Sequence, residues 1–265
     1  MKSMKNALML AVVAAGCAAA GTAQASVVDI QFLVTGGNTA TSFTRSQGAY
    51  TGDGVTSPTW NVVSVANNAT TSSTTGLLDS NGATTTEAVS TTETGGYVSN
   101  GTSPPNTNNL LQSYILANPI SPATAGTGTV TLSGLTDGGS YQLYLYSGSG
   151  GYNNAATDFA VTNGTSTGSP ASGSYAGVVN GSNGATNTGF TENANYVVFN
   201  AVASTSGTLA ITYTGVSHNN GSYEADINGL QVISTANAVP APATLALVGV
   251  GALGLLLVSR KRKNA

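Results

Sequence analysis

Lysine and arginine are almost missing from the body of this 265-residue chain. Of its seven cations, Lys2 and Lys5 open the sequence and Arg260, Lys261, Arg262 and Lys263 close it, so Arg45 stands alone between them. All ten carboxylates fall in that interval, and one cation against ten anions leaves residues 26–239 at a formal charge of −9. Nucleic-acid binding requires a cationic face that displaces phosphate counterions, and that class is excluded. An acidic, nearly lysine-free exterior instead suits a secreted protein that stays dispersed, or one that binds divalent cations.

Thiols and imidazoles are equally scarce. Cys17 is the only cysteine and His218 the only histidine, so neither a disulfide framework nor a histidine-rich metal site is available. A serine-type hydrolase needs a base beside its nucleophile. His218 lies in the loop Gly215–Gly221 with no Gly-x-Ser-x-Gly elbow around any serine, and it reads as a solvent-exposed loop residue. No enzyme is expected.

What the chain does have is concentrated first at its ends. Met1-Lys2-Ser3-Met4-Lys5 is a cationic start, Ala7–Ala15 is apolar, and Ala23-Gln24-Ala25 offers a small-x-small cleavage site before Ser26. This is the pattern of a secretory signal peptide over residues 1–25, and cleavage there removes Cys17. The competing reading is a lipobox, Ala14-Ala15-Gly16-Cys17, although leucine is absent three residues before the cysteine.

At the other end, residues 236–265 form a second separate unit. From Ala243 to Ser259 no residue is charged, and as a helix rising 1.5 Å per residue this stretch would be roughly 25 Å long. That is slightly short of the ~30 Å hydrocarbon core of a bilayer. The cationic run 260–263 follows at once, and such a cluster stays on the cytoplasmic side, which places the bulk of the chain outside. Pro240 and Pro242 keep the preceding segment extended, since each lacks a donor N–H and restrains its neighbour. An ordinary single-span anchor would share most of these features.

The tripartite order of Val239-Pro240-Ala241-Pro242, the apolar stretch 243–259 and Arg260-Lys261-Arg262-Lys263 resembles the PEP-CTERM sorting signal of Gram-negative bacteria. The resemblance covers about residues 239–263, with Ala241 where the family has a central Glu. It implies export through a secretion translocon, transient residence in the inner membrane, and recognition by an exosortase that removes or transfers the tail. The destination it implies is the cell surface or extracellular matrix, with exopolysaccharide or biofilm as surroundings.

Residues 26–235 make one domain of short alternating strands. Val28, Ile30 and Phe32 alternate with Asp29 and Gln31; Val130 and Leu132 do so within Gly128–Leu135; and Ser140–Ser147 is entered through the Asp137-Gly138-Gly139 turn. Phe159 with Val161, the run Tyr196–Val202, and Leu209, Ile211 and Tyr213 follow, and Ile227–Val232 closes the domain, with Gly229 as a candidate bulge. Leu110, Leu111, Tyr114 and Ile115 share one face if Asn109–Ala117 is helical, capped by Asn108 or Asn109 and stopped by Pro119; a strand or loop is the alternative. The Thr-, Ser-, Ala- and Asn-rich stretches Asn67–Thr75 and Asn81–Thr94 and the Gly-, Ser- and Asn-rich stretches Ser147–Asn154 and Asn163–Gly189 read as surface loops; their Asn-x-Ser/Thr triplets are what this composition produces by chance, and clustered Ser and Thr as acceptors of O-linked sugars are the alternative.

The fold class expected is therefore all-β: a single antiparallel β-sandwich or jelly roll with one short helix, flanked by the signal peptide and a membrane-spanning helix. The order of these segments is similar to that in other PEP-CTERM ectodomains, which resemble galactose-binding-like jelly rolls.

Two candidate sites remain. Glu224 and Asp226 lie two apart on one strand face, their Cβ atoms about 7 Å apart by strand rise, too close to flank a sugar as a glycosidase pair. They read as a polar outer face, with Ca²⁺ ligation together with Asn228, and with Asp29 if the terminal strands pair, as the alternative; otherwise no cofactor is expected. On the strand 141–146, Leu143 and Leu145 face the core with Tyr141, so Tyr144 and Tyr146 project outward beside Gln142. Exposed rings there, and Trp60, could stack on the apolar faces of sugars, unless other elements cover them. The expected function is a non-enzymatic surface or matrix protein associated with exopolysaccharide, and its alternative is a carbohydrate-binding module with a specific glycan ligand.

Overall fold

The period of two dominates the structure, a computed structural model that describes residues 26–35, 48–52, 55, 58–66, 69–93, 110, 114–117, 124–147, 157–163, 165–167, 190, 192–193, 195–216 and 225–235. Cys17, Arg45, His218, Glu224, the signal segment 1–25 and the tail 236–265 lie outside the described residues. Thirteen strands follow one another among them: β1 (Val27–Thr35), β2 (Trp60–Ala66), β3 (Thr71–Thr75), β4 (Ala88–Glu93), β5 (Ile115–Ala117), β6 (Thr127–Ser133), β7 (Ser140–Tyr146), β8 (Thr157–Asn163), β9 (Thr165–Thr167), β10 (Tyr196–Val202), β11 (Leu209–Gly215), β12 (Ala225–Ile227) and β13 (Gly229–Ser234).

Six strands in the order β2-β1-β13-β7-β10-β9 form one sheet, five in the order β3-β4-β6-β11-β8 form the second, and β12 pairs with β5 in a two-stranded piece. Alternate residues of both large sheets meet in one hydrophobic cluster. Ile30, Phe32, Leu143, Leu145, Phe199 and Leu230 of the first sheet join Val89, Val130, Leu132, Leu209, Ile211 and Tyr213 of the second. A shared core between two multistranded sheets is the arrangement of a β-sandwich. One pairing departs from the antiparallel expectation: β1 and β2 run parallel, in the register Asp29↔Trp60 to Thr35↔Ala66.

The strands expected from alternation at 28–32, 130–132, 140–146, 159–161, 196–202 and 209–213 are all present. Three other expectations are corrected. The helix over Asn109–Ala117 is replaced by strand β5 at its C-terminal end, paired with β12 from Ile115↔Ile227 to Ala117↔Ala225, and no α-helix occurs among the described residues. Burial of Ile115, Leu116 and Ala117 on both sides explains why a helical face fitted these apolar letters.

The hydroxyl-rich stretches taken for loops contain β3, β4 and β9. β4 buries Val89, Thr91 and Glu93 on one face, while β3 is an edge strand of half-buried and exposed Thr and Ser. Threonine is β-branched and fits a half-buried pleated edge as readily as a loop. Finally, Ile227–Val232 is two strands: β12 pairs with β5, and after Asn228 the chain enters the first sheet, where β13 lies between β1 and β7.

Within the second sheet, one cross-strand row bears on stability. Glu93, Gly128, Tyr213 and Phe159 are register partners across β4, β6, β11 and β8. A side chain at Gly128 would overlap the Tyr213 ring, so the glycine leaves the space through which that ring crosses the sheet. Burial raises the Glu93 carboxyl to a pKa of about 7, an effect only partly offset by the neighbouring Tyr213 hydroxyl.

Candidate functional site on the outer face of the first sheet

The outer face of the six-stranded sheet carries the candidate residues, and they fall into a covered half and an open half. Along β7, Tyr141, Leu143 and Leu145 are buried, as the alternation predicts, while Gln142 and Tyr144 are half-buried on the opposite side. Tyr146 shares that outer side with Tyr144, yet it is fully buried at 0 % exposure. The expectation that Tyr146 forms part of an exposed platform is therefore overturned.

Tyr146 is covered because other parts of the chain pack over it. It forms a small apolar cluster with Trp60 and Leu110, against which Ala49, Tyr144, Phe190 and Tyr196 are packed. Trp60 is only 9 % exposed, so it too belongs to the cover and not to an open sugar platform. A short strap, residues 48–50, lies over the same region and is held by polar contacts. The Ala49 N–H donates to the Tyr146 hydroxyl oxygen at 2.8 Å, and the Tyr146 hydroxyl donates to Oε1 of Gln231.

Gln231 is the centre of this latch. It is register partner to both Asp29 and Tyr144 and is only 2 % exposed. Its Oε1 accepts the Tyr50 N–H at 3.0 Å, and its Nε2 donates to Oδ1 of Asp29 at 2.7 Å and to the Tyr50 carbonyl at 3.3 Å. A buried amide with donor and acceptor both engaged is stabilising, whereas the same amide unmatched would be costly. Gly48 is required beside it, since a Cβ at that position would overlap the Gln231 amide.

The open half is aromatic and neutral. Tyr50, Tyr144 and Tyr196 are each half-buried. The ring centroids of Tyr50 and Tyr144 are 5.7 Å apart at an interplanar angle of 54°, and those of Tyr144 and Tyr196 are 5.7 Å apart at 26°. Phe190 supports the row from the covered side, meeting Tyr146 edge-on at 5.1 Å. Burial raises the pKa of the Tyr144 and Tyr196 hydroxyls, with Glu192 adding a smaller upward push to both. Both phenols therefore stay protonated at neutral pH and can donate and accept hydrogen bonds. Beside them, the Gln142 Nε2 donates to Oδ1 of Asn200 at 3.4 Å, an exposed amide pair on the same outer face.

Among the described residues, Tyr144 is the sequence-predicted platform residue that stays half-exposed, and Tyr50 and Tyr196, also half-exposed, lie against it. The outward position of Tyr196 was legible, because it alternates with buried Val197 and Phe199. Nothing in the sequence around Tyr50 announces that it is folded back onto a strand 181 positions away.

Asp226 also departs from expectation. It lies at 0 % exposure and not on a polar outer face. Thr157 Oγ1 donates to its Oδ1 at 3.0 Å, Ser147 Oγ donates to the same oxygen, and the Asp226 N–H donates to Thr157 Oγ1 at 2.9 Å. These contacts tie β8 and β12 to Ser147, the residue that follows β7, a structural role that the strand-face reading could not anticipate. Asp29 is buried in the Gln231 network instead of joining Asp226. Among the described residues, no three His, Cys, Asp or Glu side chains are arranged to hold a metal ion.

Fold and site define an acidic, all-β domain whose first sheet is half sealed and half open. At the C-terminus, residues 238–263 match the family model of the PEP-CTERM protein-sorting motif, so the chain carries that motif. The motif marks it as an exported substrate of an exosortase, sorted at the membrane toward the cell surface. Comparison with curated proteins and with solved structures found no match.

Proposed function

We propose that the mature protein is a non-enzymatic component of the cell surface or extracellular matrix of a Gram-negative bacterium, released there by exosortase processing and associated with exopolysaccharide through the open half of its first sheet. The observation that carries the proposal is the pair Tyr144 and Tyr196, half-buried rings 5.7 Å apart on the same face as the half-buried amide of Gln142 and the exposed amide of Asn200. Tyrosine presents an apolar ring and a polar tip, so it can cover the C–H face of a sugar and bond a neighbouring hydroxyl. Neutral rings in an acidic domain favour a ligand without negative charge. In this reading neither catalysis nor Ca²⁺ has a role, and the buried acids Asp29, Glu93 and Asp226 serve the fold.

Two measurements test it. Intact mass of protein recovered from the cell surface should show loss of residues 1–25 and of the tail beyond the 239–242 motif. Full-length polypeptide retaining both ends in the cytosol would overturn the sorting half of the proposal. Co-sedimentation with the producing cell's polysaccharide should be lost in a Tyr144→Ala, Tyr196→Ala double variant that still melts cooperatively. Retention of full binding by that variant would overturn the other half.

A further inference from the structure

We infer that Tyr50, Tyr144 and Tyr196 form a three-ring rail for successive units of a neutral linear polysaccharide, and that the strap 48–50 is latched to the sheet in order to supply its first ring. The inference rests on the outer-face reading above and adds to it a third position, a ligand geometry and a positioning residue.

The order of the rings follows from register. Tyr144 on β7 is opposite Gln231 of β13 on one side and Val198 of β10 on the other. The strap holds Tyr50 over Gln231, and Tyr196 stands two residues from Val198 on the same side of β10. The rings therefore follow one another in the order Tyr50, Tyr144, Tyr196, the second step running diagonally to the strands because Tyr196 is the direct partner of Tyr146. Each of the two steps is 5.7 Å, comparable with the advance from one pyranose to the next in an extended glycan. A single exposed ring would hold one sugar, whereas a row at this spacing holds consecutive units within a chain.

The strap supports the assignment because its hydrogen bonds to Gln231 fix the Tyr50 backbone over the sheet. Both polar backbone groups of Tyr50 are engaged by Gln231, and Ala49 is engaged by Tyr146. That leaves the Tyr50 side chain beside Tyr144, half-exposed. Preorganising a side chain in this way lowers the ordering loss on binding. The charge of the ligand follows from Glu192, which is bridged to Tyr196, and from the surplus of carboxylates in the body. A polyuronate would be repelled.

The test uses the processed protein recovered from cells, titrated with neutral linear glucan, galactan and mannan oligosaccharides of one to four units and with oligogalacturonates of the same lengths. For the best neutral ligand, affinity should rise with each unit up to three and then level, and it should be insensitive to salt. Tyr50→Ala should reduce trisaccharide affinity about tenfold, in keeping with one aromatic contact, to the level of the disaccharide. Gln231→Ala, with Tyr50 intact, should reproduce that pattern, with thermal melting confirming that the variant is folded.

If Tyr50→Ala leaves trisaccharide affinity unchanged while Tyr144→Ala abolishes binding, the rail is wrong and the simpler outer-face site survives. If no neutral oligosaccharide binds, or if Tyr144→Ala and Tyr196→Ala are both without effect, the rail and the reading beneath it fail together. Equal or tighter binding of oligogalacturonate would overturn the neutral assignment.

Discussion

Tyr144 and Tyr146 are two residues apart on one strand and point to the same side of one sheet, yet Tyr146 is sealed while Tyr144 is half-open. Intrinsic preference cannot separate them, because residue type, strand and facing are the same. The difference is made by what lies above them: Leu110, Trp60 and the strap close over Tyr146, and the cover ends at Tyr144. One half of the outer face thus behaves as a second, smaller core, and the other as a surface available to partners.

The largest expected effect tests that contrast directly. Tyr146→Ala should destabilise the domain by about 3–5 kcal/mol, as truncation of a buried aromatic does, measured as a shift in the thermal or denaturant midpoint. Should it cost no more than Tyr144→Ala, the distinction between the two halves is lost.

Next in size is a comparison of two buried tyrosines. The Tyr146 hydroxyl is satisfied by Ala49 and Gln231, whereas Tyr213 in the main core lies against Glu93. With the Glu93 carboxyl raised from 4.5 to about 7, the native state holds a proton that the unfolded chain has released. Stability should therefore be highest below about pH 4.5 for this group and fall as pH rises through 7, by on the order of 3 kcal/mol in total. Denaturant titrations between pH 4.5 and 8 should show the decline, and Glu93→Gln should flatten it.

A smaller effect isolates the latch. Gln231→Ala should remove about 1–3 kcal/mol, and hydrogen exchange should show lost protection at the Ala49 and Tyr50 amides ahead of the amides of β7. Uniform loss across the sheet would mean that the strap is no separate unit. The smallest change in stability belongs to Tyr144→Ala, within about 1 kcal/mol, though it should weaken polysaccharide co-sedimentation most.

How far the sequence could be read depended on which side of a strand a residue's fate was decided. The alternation in 140–146 and 209–213 placed Leu143, Leu145, Leu209 and Ile211 in the core without error, because burial on the inner face needs only a partner sheet. The helix at 109–117 failed since a short run buried on both sides carries no period. Threonine strands β3 and β4 were missed because their composition is also that of a loop, and only pairing with β6 makes β4 internal. Asp226 looked solvent-facing until Ser147 and Thr157, distant in sequence, closed on it.

The letters alone determined the C-terminal sorting motif, the near-absence of cations from the body and the period of two in the strands, since each is a local property of consecutive residues. Tertiary structure decided which outward tyrosines are open. The contacts responsible join Ala49 to Tyr146 and Tyr50 to Gln231, residues separated by 97 and 181 positions. A pleat fixes the direction of a side chain, but whether anything covers it depends on where remote segments come to rest.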